Sequence, residues 1–328
     1  MIRNFLPTAD TPLVAVNLQE LTPIPLPTGD VHTVLCVGNF DGVHVGHIAL
    51  IRKAQALSQK IAHNAADGKT LCGAWFFSTP TRPNASVLTP IGDKLSVMRE
   101  LGLDIAFIAH FPSFMKMSPE EFTSVTLSET CNCKGVVCGY NFRYGRDGRG
   151  DALSLRADFP YATEIVDCVT VEGIPVSSST VRRLLAEGDV GLAAQMLSRP
   201  YALVAPVVRG KMLGRQLGFP TANQSIPEEL ATPARGVYVT RVTVDGRQYA
   251  GVSNIGVRPT VENTTAVNCE TYILDFEGDI YGKTVKTEFL SMLRPETKFN
   301  SVEELRAAVS ENISQAREYF GTHQIKYG

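Results

Sequence analysis

The first part of the chain alternates short apolar runs with stretches whose apolar residues recur at helical spacing. The apolar runs span residues 33–38, 70–77, 104–111 and 135–139. The amphipathic stretches span residues 46–60, 92–101 and 119–130. This alternation predicts right-handed βαβ units and a parallel, Rossmann-like sheet, which is an α/β fold. Residues 1–30 show no periodicity, so we expect an irregular lead-in or a first edge strand there.

The pattern changes near residue 197. Runs rich in Val, Tyr and Thr then alternate with Gly, Asp and Asn turns, at residues 201–209, 236–244, 248–255, 269–276 and 284–291. Such runs are typical of antiparallel strands, and about five of them in succession favour a small β-barrel, because closure removes exposed edges. Residues 301–320 are expected to form a closing helix that opens with a capping box of Ser301 and Glu304. We therefore predict two domains, 1–197 and 198–328.

Length and charge agree with this organisation. The chain has 328 residues, 44% of them hydrophobic, which suffices for two domains with their own cores. It carries 31 basic and 33 acidic residues, a formal net charge of −2. That balance gives no general attraction to nucleic acid or anionic membranes, so we expect neither as a partner. An anion must instead be bound locally, by what we expect to be a monomer or a weak homo-oligomer.

The cysteines and the N-terminus indicate a compartment. Seven cysteines, an odd number, lie mostly in apolar runs and are expected to be buried thiols in a reducing environment. Cys131 and Cys133 form a C-x-C pair, but no second pair follows at zinc-site spacing. The sequence shows no signal-peptide pattern and no apolar run that approaches the ~18 residues of a membrane span. These features predict a cytoplasmic protein.

The most specific N-terminal motif is GNFDGVHVGH at residues 38–47, between a predicted buried strand and a predicted helix. Its glycines let the backbone approach a bound group closely, and the start of the helix offers N–H donors to phosphate. His44 and His47 lie three residues apart, so both can face one side of the turn and stabilise developing negative charge. The alternative is a glycine turn with two incidental histidines.

Two further strings carry basic and hydroxyl groups. In VSSSTVRRLLAEGD, residues 176–189, serines can cap a helix while Arg182 meets a polyphosphate. A capped amphipathic helix without a ligand is the simpler explanation of that string alone. CGYNFRYGRDGRGD, residues 138–151, combines glycines, arginines and aromatics and suits a flat ring with a phosphate. Its alternative is a mobile surface loop.

The fragment MKMSPEE, residues 115–121, is similar to a lysine-methionine-serine loop of class I aminoacyl-tRNA synthetases, but it lies too early in the chain. A helix start explains it without any chemistry. Ser118 would be the N-cap, Pro119 the first helical residue, and Glu121 the partner that completes a capping box.

The C-terminal part contains GKMLGRQLGFPTANQ at residues 210–224, which combines three glycines with a Pro-Thr-Ala-Asn turn. Glycine again permits close approach to phosphate, and Thr221 and Asn223 offer hard oxygens suited to Mg²⁺ and its nucleotide. The alternative is a hairpin loop without a ligand. Glu270 lies in a strand with apolar neighbours and is either a rim carboxylate or a positioned base.

Together these motifs resemble those of the prokaryotic bifunctional riboflavin kinase/FMN adenylyltransferase family, over residues 33–320. GNFDGVHVGH and VSSSTVRRLLAEGD are similar to the H-x-G-H and I-S-S-T-x-x-R elements of its nucleotidyltransferase domain. The blocks similar to its kinase module are RPYALVAPVVRGKMLGRQLGFPTAN, GVYV, GVSNIGVRPT, ETYILDFEGDIYG and LRPETKF. The resemblance implies a Rossmann-like nucleotidyltransferase domain followed by a small antiparallel β-barrel kinase domain with a C-terminal helix.

The resemblance also implies two reactions and the residues that serve them. The C-terminal domain would phosphorylate riboflavin to FMN with ATP and Mg²⁺, and the N-terminal domain would adenylylate FMN to FAD and release pyrophosphate. The implied catalytic residues are Glu270 as general base, with His44 and His47. The implied ATP-binding residues are Gly38, Asn39, Phe40, Asp41, His44, His47, Ser178, Arg182, Gly210, Lys211, Gly214, Thr221 and Asn223. The implied flavin-binding residues are Asn141, Arg143, Gly214, Arg258 and Arg294, and the implied Mg²⁺ ligands are Thr221 and Asn223.

The sequence departs from the family pattern in two places. Ser179 stands where threonine is usual, which keeps a hydroxyl; residues 76–84 lack the histidine of the family's F-x-P-H-P run, which bears on flavin or nucleotide contacts there.

Two alternative functions remain open. One is a riboflavin kinase with a single activity. The other is a regulator that senses flavin or nucleotide, for which Glu270 is unexpected because sensing needs no base.

Overall fold

The computed structural model describes residues 13–18, 31–64, 69–79, 86–210, 214, 218–259 and 265–323. The chain divides into two compact units, Met1–Ser178 and Ser179–Gly328. Each unit contains one six-stranded sheet.

The first unit is built on a parallel sheet, as the alternating pattern predicts. Its strands are β1 Val14–Leu18, β2 Val31–Val37, β3 Lys69–Phe77, β4 Ile105–Ala109, β5 Cys133–Gly139, β6 Arg143–Tyr144, β7 Gly150–Asp151, β8 Ala162–Val166, β9 Thr170–Val171 and β10 Ile174–Pro175. The large sheet has the order β1-β4-β3-β2-β5-β8, and its neighbours all pair in parallel. β6–β7 and β9–β10 form two small ribbons. An edge strand therefore does occur within residues 1–30.

Helices connect these strands. They are α1 Val45–Asn64, α2 Ile91–Glu100, α3 Phe111–Phe114, α4 Pro119–Glu121 and α5 Ala152–Asp158; α6 Ser178–Glu187 begins at the last residue of this unit and continues into the second. Ser118 and Glu121 form the predicted capping box at the start of α4. A helix covers the predicted range 119–130, but from Phe122 to Thr130 it is a π-helix and not an α-helix. A hydroxyl contributes to this widened helix, since Ser128 Oγ donates to the carbonyl of Thr123 at 2.9 Å, five residues back.

Both faces of the parallel sheet are covered. Along β2, Leu35 and Val37 belong to the hydrophobic cluster on one face, and Val34 and Cys36 belong to the cluster on the other. All four side chains are buried. Burial on both faces explains why this strand reads as a continuous apolar run instead of an alternating one.

The second unit contains an antiparallel sheet that curls into a small barrel. Its strands are β11 Tyr201–Pro206, β12 Thr221–Ser225, β13 Gly236–Val244, β14 Arg247–Pro259, β15 Thr265–Ile273 and β16 Thr284–Pro295, in the order β11-β16-β13-β14-β15-β12. The two edge strands meet, because Val208 N donates to Asn223 O at 2.8 Å and Gln224 Nε2 donates to Ala205 O at 2.9 Å. The predicted Pro-Thr-Ala-Asn turn is wrong, because Thr221–Ser225 forms the strand β12. Its extended conformation follows from pairing with β15 and not from any alternation of its own residues.

The interior of the barrel is partly polar. Thr240, Ser253 and Thr271 form a chain of buried hydroxyls with oxygen separations of 2.8 and 2.7 Å. Gln224 reaches across the interior, accepting from Thr287 Oγ1 at 2.7 Å. Buried polar groups must be hydrogen-bonded, so these residues fix the relative positions of the strands that carry them.

Among the described residues, the helices of this unit include α7 Val190–Leu197 and α8 Val302–Thr322, besides α6 after its first residue. Phe320 of α8 packs with Val237 and Leu274 on the barrel. Ser301 accepts from Glu304 N as predicted, but the Glu304 carboxylate binds the N–H of Asn300. The predicted capping box is therefore only half formed.

The segment 179–197 belongs to the second unit and packs against other residues of that unit. Ala234 N donates to Leu185 O at 2.8 Å, and Gly188 lies so close to the Met292 side chain that a Cβ there would collide with its sulfur. The division between the compact units precedes this segment, whereas the sequence places the domain boundary after it. The boundary at 197/198 stays a prediction.

Two fragments test the role of this segment. Fragment 198–328 lacks Leu185, Ala193 and Met196, which are fully buried, so we expect it to fold but to be less stable than fragment 179–328. Its melting temperature should be lower by roughly 5–10 °C. Scanning calorimetry of both fragments measures the difference, and equal melting temperatures would place residues 179–197 outside the stable unit.

Candidate active sites

The loop after β2 leaves the carboxyl end of a central strand. β2 lies between β3 and β5, and the chain continues through β3 and β4 on one side before it returns to β5 on the other. Ligands of open α/β sheets bind outside the carboxyl ends of the strands at such a switch point. Residues 38–47 follow β2 and Asn141 follows β5. The topology therefore brings these two predicted segments to one edge of the sheet.

The backbone of this loop is strained. Phe40, Gly42 and Val43 all have positive φ angles, of 50°, 88° and 41°. Only glycine adopts this conformation freely, and it is costly for a β-branched residue such as Val43. Such strain persists only where surrounding contacts enforce it, and it clusters at functional sites.

Contacts from distant segments hold the loop. The Asp41 carboxylate accepts from Leu88 N at 2.9 Å and from Thr89 N at 3.2 Å. Ser178 Oγ donates to the Asp41 carbonyl at 2.8 Å. Ser178, a predicted site residue, thus acts on the loop as the first residue of α6, where the sequence suggested a helix cap.

The two histidines lie on one side of the turn, as their spacing predicts. Their ring centroids are 3.6 Å apart with an angle of 14° between the planes. His47 N donates to His44 Nδ1 at 3.3 Å, so one N–H of the helix start is already bound. In a neutral His44 ring that accepts at Nδ1, the proton resides on Nε2 and makes that atom a donor. Gly46 provides the space, since a Cβ there would lie 3.1 Å from His44 Nδ1.

A buried lysine that sequence reasoning missed adjoins the same loop. Lys94 Nζ donates to the carbonyl of Asn39 at 3.1 Å and lies 4.8 Å from the centroid of the Phe76 ring. Burial lowers the pKa of Lys94 to about 8, and the nearby Asp41 carboxylate opposes that shift. No sequence signal reveals this lysine, because a polar residue in an amphipathic helix is expected to be exposed.

Three further predicted site residues, Asn141, Arg143 and Arg182, lie on other segments of the chain than the loop 38–47. Asn141 is exposed, and Arg143 is exposed with a 3.7 Å ion pair to Asp151. Arg182 is half-buried on α6, four residues after Ser178. Of the divergent segment 76–84, residues 80–84 lie outside the described residues, so the predicted effect of its lost histidine stays a prediction.

Aromatic side chains near Arg143 stack within the hydrophobic cluster on one face of the sheet. The rings of Phe142 and Tyr144 are 5.7 Å apart and 12° from parallel, and Phe122 lies 5.2 Å from Tyr144. Phe122 belongs to the π-helix, which no pattern in the sequence indicates. Tyr144 and Phe122 are buried, so these two rings serve packing. That the segment 138–151 suits a flat ring stays a prediction.

In the second unit, glycines bring a loop against β12. A Cβ on Gly210 would lie 2.6 Å from Asn223 Nδ2, and one on Gly214 would lie 2.5 Å from the carbonyl of Phe219 and 3.3 Å from Thr221 Oγ1. A side chain at either position would collide with these groups, so both positions require glycine. Lys211 lies outside the described residues.

Asn223 and Glu270 are direct partners across β12 and β15. Side chains at such opposed positions share one face of a sheet. Asn268, two residues before Glu270 on the same strand, donates from Nδ2 to Asn223 Oδ1 at 3.0 Å and to Glu270 Oε1 at 3.4 Å. Asn268 and Asn223 are buried, while Glu270 is exposed. Sequence reasoning missed Asn268, although its i, i+2 spacing from Glu270 in a strand was a usable signal.

The opposite neighbour of Glu270 is Asn254 on β14. Glu296 lies close by, since a Cβ on Gly256 would lie 2.8 Å from its Oε1 and 3.2 Å from Asn254 Nδ2. Sequence reasoning did not select these residues.

Two predicted flavin-binding residues lie elsewhere in this unit. Arg294 on β16 donates to Asn312 Oδ1 of α8 at 3.2 Å, and its guanidinium lies 5.3 Å from the centroid of the Phe299 ring. Arg258 pairs through its backbone with β15, and its side chain lies outside the described residues. The structure does not bring Arg294 into a described contact with Thr221, Asn223 or Glu270.

Family comparisons cover both units. The FAD synthetase family profile matches residues 27–180, and the flavokinase profile, described as riboflavin kinase, matches residues 197–320. None of the helices among the described residues is long and apolar enough to cross a membrane.

Individual relatives match nearly the whole chain. The curated bifunctional riboflavin kinase/FMN adenylyltransferase of Listeria monocytogenes is 34% identical over 300 residues, which are 89% of this chain and 93% of the relative. That of Escherichia coli K12 is 34% identical over 297 residues, 88% of this chain and 93% of the relative. A Streptococcus pneumoniae crystal structure named as a macrolide-efflux protein shares the fold with a TM-score of 0.83 and 26% identity, over 93% of this chain and 99% of that one.

The name of the Streptococcus pneumoniae protein applies to that protein. For this chain, the match shows a shared fold. The profiles and curated relatives identify both activities. They exclude a kinase with a single activity and a purely sensory protein. The chain belongs to the bifunctional riboflavin kinase/FMN adenylyltransferase family: an enzyme that phosphorylates riboflavin in its C-terminal part and adenylylates FMN in its N-terminal part.

Proposed function

We propose that FMN formation uses Thr221, Asn223 and Glu270, and that FAD formation uses the loop 38–47. The observation that carries the first assignment is the Asn268 amide, which joins Asn223 to Glu270 across two strands. The strained turn held by Asp41 and Ser178 supports the second.

In the kinase reaction, the 5′-hydroxyl of riboflavin is placed in line with the γ-phosphate of ATP. Glu270 accepts the hydroxyl proton as the new oxygen–phosphorus bond forms and the bond to the β-phosphate oxygen breaks. Its exposure leaves the carboxylate open to substrate. Positioning supplies most of the catalysis in phosphoryl transfer.

A divalent metal fits the kinase site, and we propose Mg²⁺. Thr221 and Asn223 provide hard oxygens, which suit Mg²⁺ held mainly by nucleotide phosphates and water. Among the described residues there is no cluster of three His, Cys, Asp or Glu side chains that would bind a metal without a nucleotide. The ion would offset charge on the phosphates.

In the adenylyl transfer, a phosphate oxygen of FMN attacks the α-phosphorus of ATP and pyrophosphate leaves. The attacking phosphate is already ionised, so no base is required. The Nε2 donor of His44, together with His47 and the start of α1, stabilises charge that grows in the transition state. We propose Arg182 as a further phosphate ligand, and Gly38, Asn39, Phe40 and Asp41 as the backbone and side-chain contacts to ATP.

The remaining assignments concern the flavin and the cell. We propose Asn141 and Arg143 as contacts of the flavin in the first unit, and Gly214, Arg258 and Arg294 in the second. All seven cysteines are free thiols and six are buried, which favours a reducing, cytoplasmic location. We expect a monomer or weak homo-oligomer without nucleic-acid or membrane partners.

The direct test supplies purified protein with ATP, riboflavin and either Mg²⁺ or a chelator. With Mg²⁺, FMN should accumulate first and FAD at later reaction times, as measured by chromatography. With the chelator, neither product should form. Supplying FMN in place of riboflavin isolates the second reaction.

Glu270→Gln should abolish measurable FMN formation and leave FAD formation from supplied FMN unchanged, because the amide cannot accept the hydroxyl proton. Separate assays of the two reactions measure this. Glu277→Gln, at an exposed position on the same unit, is the matched control. Near-normal kinase turnover in Glu270→Gln contradicts the base assignment.

His47→Ala should lower the turnover of FAD formation by about 10²–10³-fold, the usual cost of deleting one preorganised donor at a developing charge. FMN formation should not change. The KM for ATP should change much less than kcat, because the contact strengthens in the transition state. His63→Ala removes an exposed histidine of α1 as the control. Loss of both activities with a lower melting temperature would instead mark His47 as structural.

Asn268→Ala should lower kcat of FMN formation by roughly 10–100-fold, the value of a hydrogen bond to a charged group. Asn268→Asp should be worse, because it replaces the donor with a carboxylate beside Glu270. Steady-state kinase assays of both variants measure the order. If Asn268 only fills space, the isosteric Asp variant should be the milder of the two, which would contradict the positioning role.

A further inference from the structure

Lys94 is a buried cation in the first turn of α2. It is 6% exposed, and among the described residues its ammonium contacts the Asn39 carbonyl and the Phe76 ring. Removing an ammonium from water costs free energy that an apolar side chain of the same length would avoid. Packing alone therefore does not explain a lysine at this position.

The carbonyl that Lys94 binds belongs to the peptide unit whose N–H is that of Phe40. In a trans peptide the C=O and N–H groups point in opposite directions, so fixing the Asn39 oxygen also fixes the Phe40 N–H. Ser178 does the same for the next-but-one unit, by holding the Asp41 carbonyl and hence the Gly42 N–H. Turns of this kind make concavities of backbone N–H groups that bind anions.

We infer that Lys94 is a positioning residue of the adenylyltransferase. Its ammonium holds the Asn39 carbonyl, keeps Phe40 in its left-handed conformation and so directs the Phe40 N–H toward the phosphates of ATP. The inference rests on the proposed assignment of this loop to ATP. Nothing in it requires Lys94 to touch the substrate.

The surroundings of Lys94 make its effect dependent on pH. The loop presents the Asp41 carboxylate and β3 presents the apolar Phe76 ring, while Asp93 precedes it on its own helix. Burial lowers the pKa of Lys94 from its ordinary 10.5 to about 8. A charged donor makes a hydrogen bond about twice as strong as a neutral one. The hold on Asn39 should therefore weaken as pH rises through about 8.

The same shift predicts the effect on stability. Because the folded-state pKa lies below the ordinary value, the folded protein binds fewer protons than the unfolded chain between pH 8 and 10.5. The protonated lysine thus costs stability at pH 7, and that cost falls as pH rises. Lys94→Met removes it, so the variant should melt no lower than the parent enzyme at pH 7.

The experiment compares Lys94→Met and Lys94→Arg with Lys53→Met, a control at an exposed lysine of the same unit. Full-length proteins are assayed for FAD formation from FMN and, separately, for FMN formation from riboflavin. Lys94→Met should lose roughly 100-fold in kcat of FAD formation, the cost of a small misplacement of reacting groups. Its FMN formation and melting temperature should be retained. Lys94→Arg, which keeps its charge, should recover part of the activity and lose the decline above pH 8.

Two results would overturn the inference. One is Lys94→Met with FAD turnover close to that of the parent enzyme. The other is parallel loss of both activities with a lower melting temperature, which would make Lys94 a structural residue. If His47→Ala leaves FAD formation intact, the assignment of the loop to ATP has failed instead, so the two failures are distinguishable.

Discussion

A backbone can approach a polar group or a ligand closely only where no side chain intervenes, and both candidate sites depend on this steric constraint. Gly46 leaves room for the His44 ring, and Gly210 leaves room for the Asn223 amide. An alanine at either position would move the neighbouring polar group before it affected any ligand. The glycines therefore act first on the protein's own side chains, and the geometry offered to phosphate follows from that.

A second feature common to the two sites is that their functional groups are held by polar residues from elsewhere in the fold. Lys94 and Ser178 hold carbonyls of the loop after β2, and Asn268 holds the facing side chains of β12 and β15. Each such contact fixes the direction of a group that would otherwise rotate. Catalysis by positioning requires this, since displacements of about 1 Å are costly.

The parts of the fold that sequence predicts are those specified locally. The parallel sheet follows from continuous apolar runs, and the start of α4 from the spacing of Ser118 and Glu121. The π-helix and β12 were not predictable, because hydroxyl bonding in one and strand pairing in the other override local pattern. Lys94 was missed for a related reason, because its partner Asn39 lies 55 residues away in the sequence. For Asn268 the spacing from Glu270 was readable, but its contact with Asn223, 45 residues away, was not.

The hydroxyl chain inside the barrel has a consequence for how this sequence can change. A hydroxyl donates one proton and can accept two, so Ser253 either donates to one threonine and accepts from the other or accepts from both. Replacing Ser253 by an apolar residue would remove a hydrogen-bond partner from both threonines, whereas replacing all three together would avoid that loss. The three positions are distant in sequence and lie on three different strands, so we expect a change from a polar to an apolar interior here to require correlated substitutions.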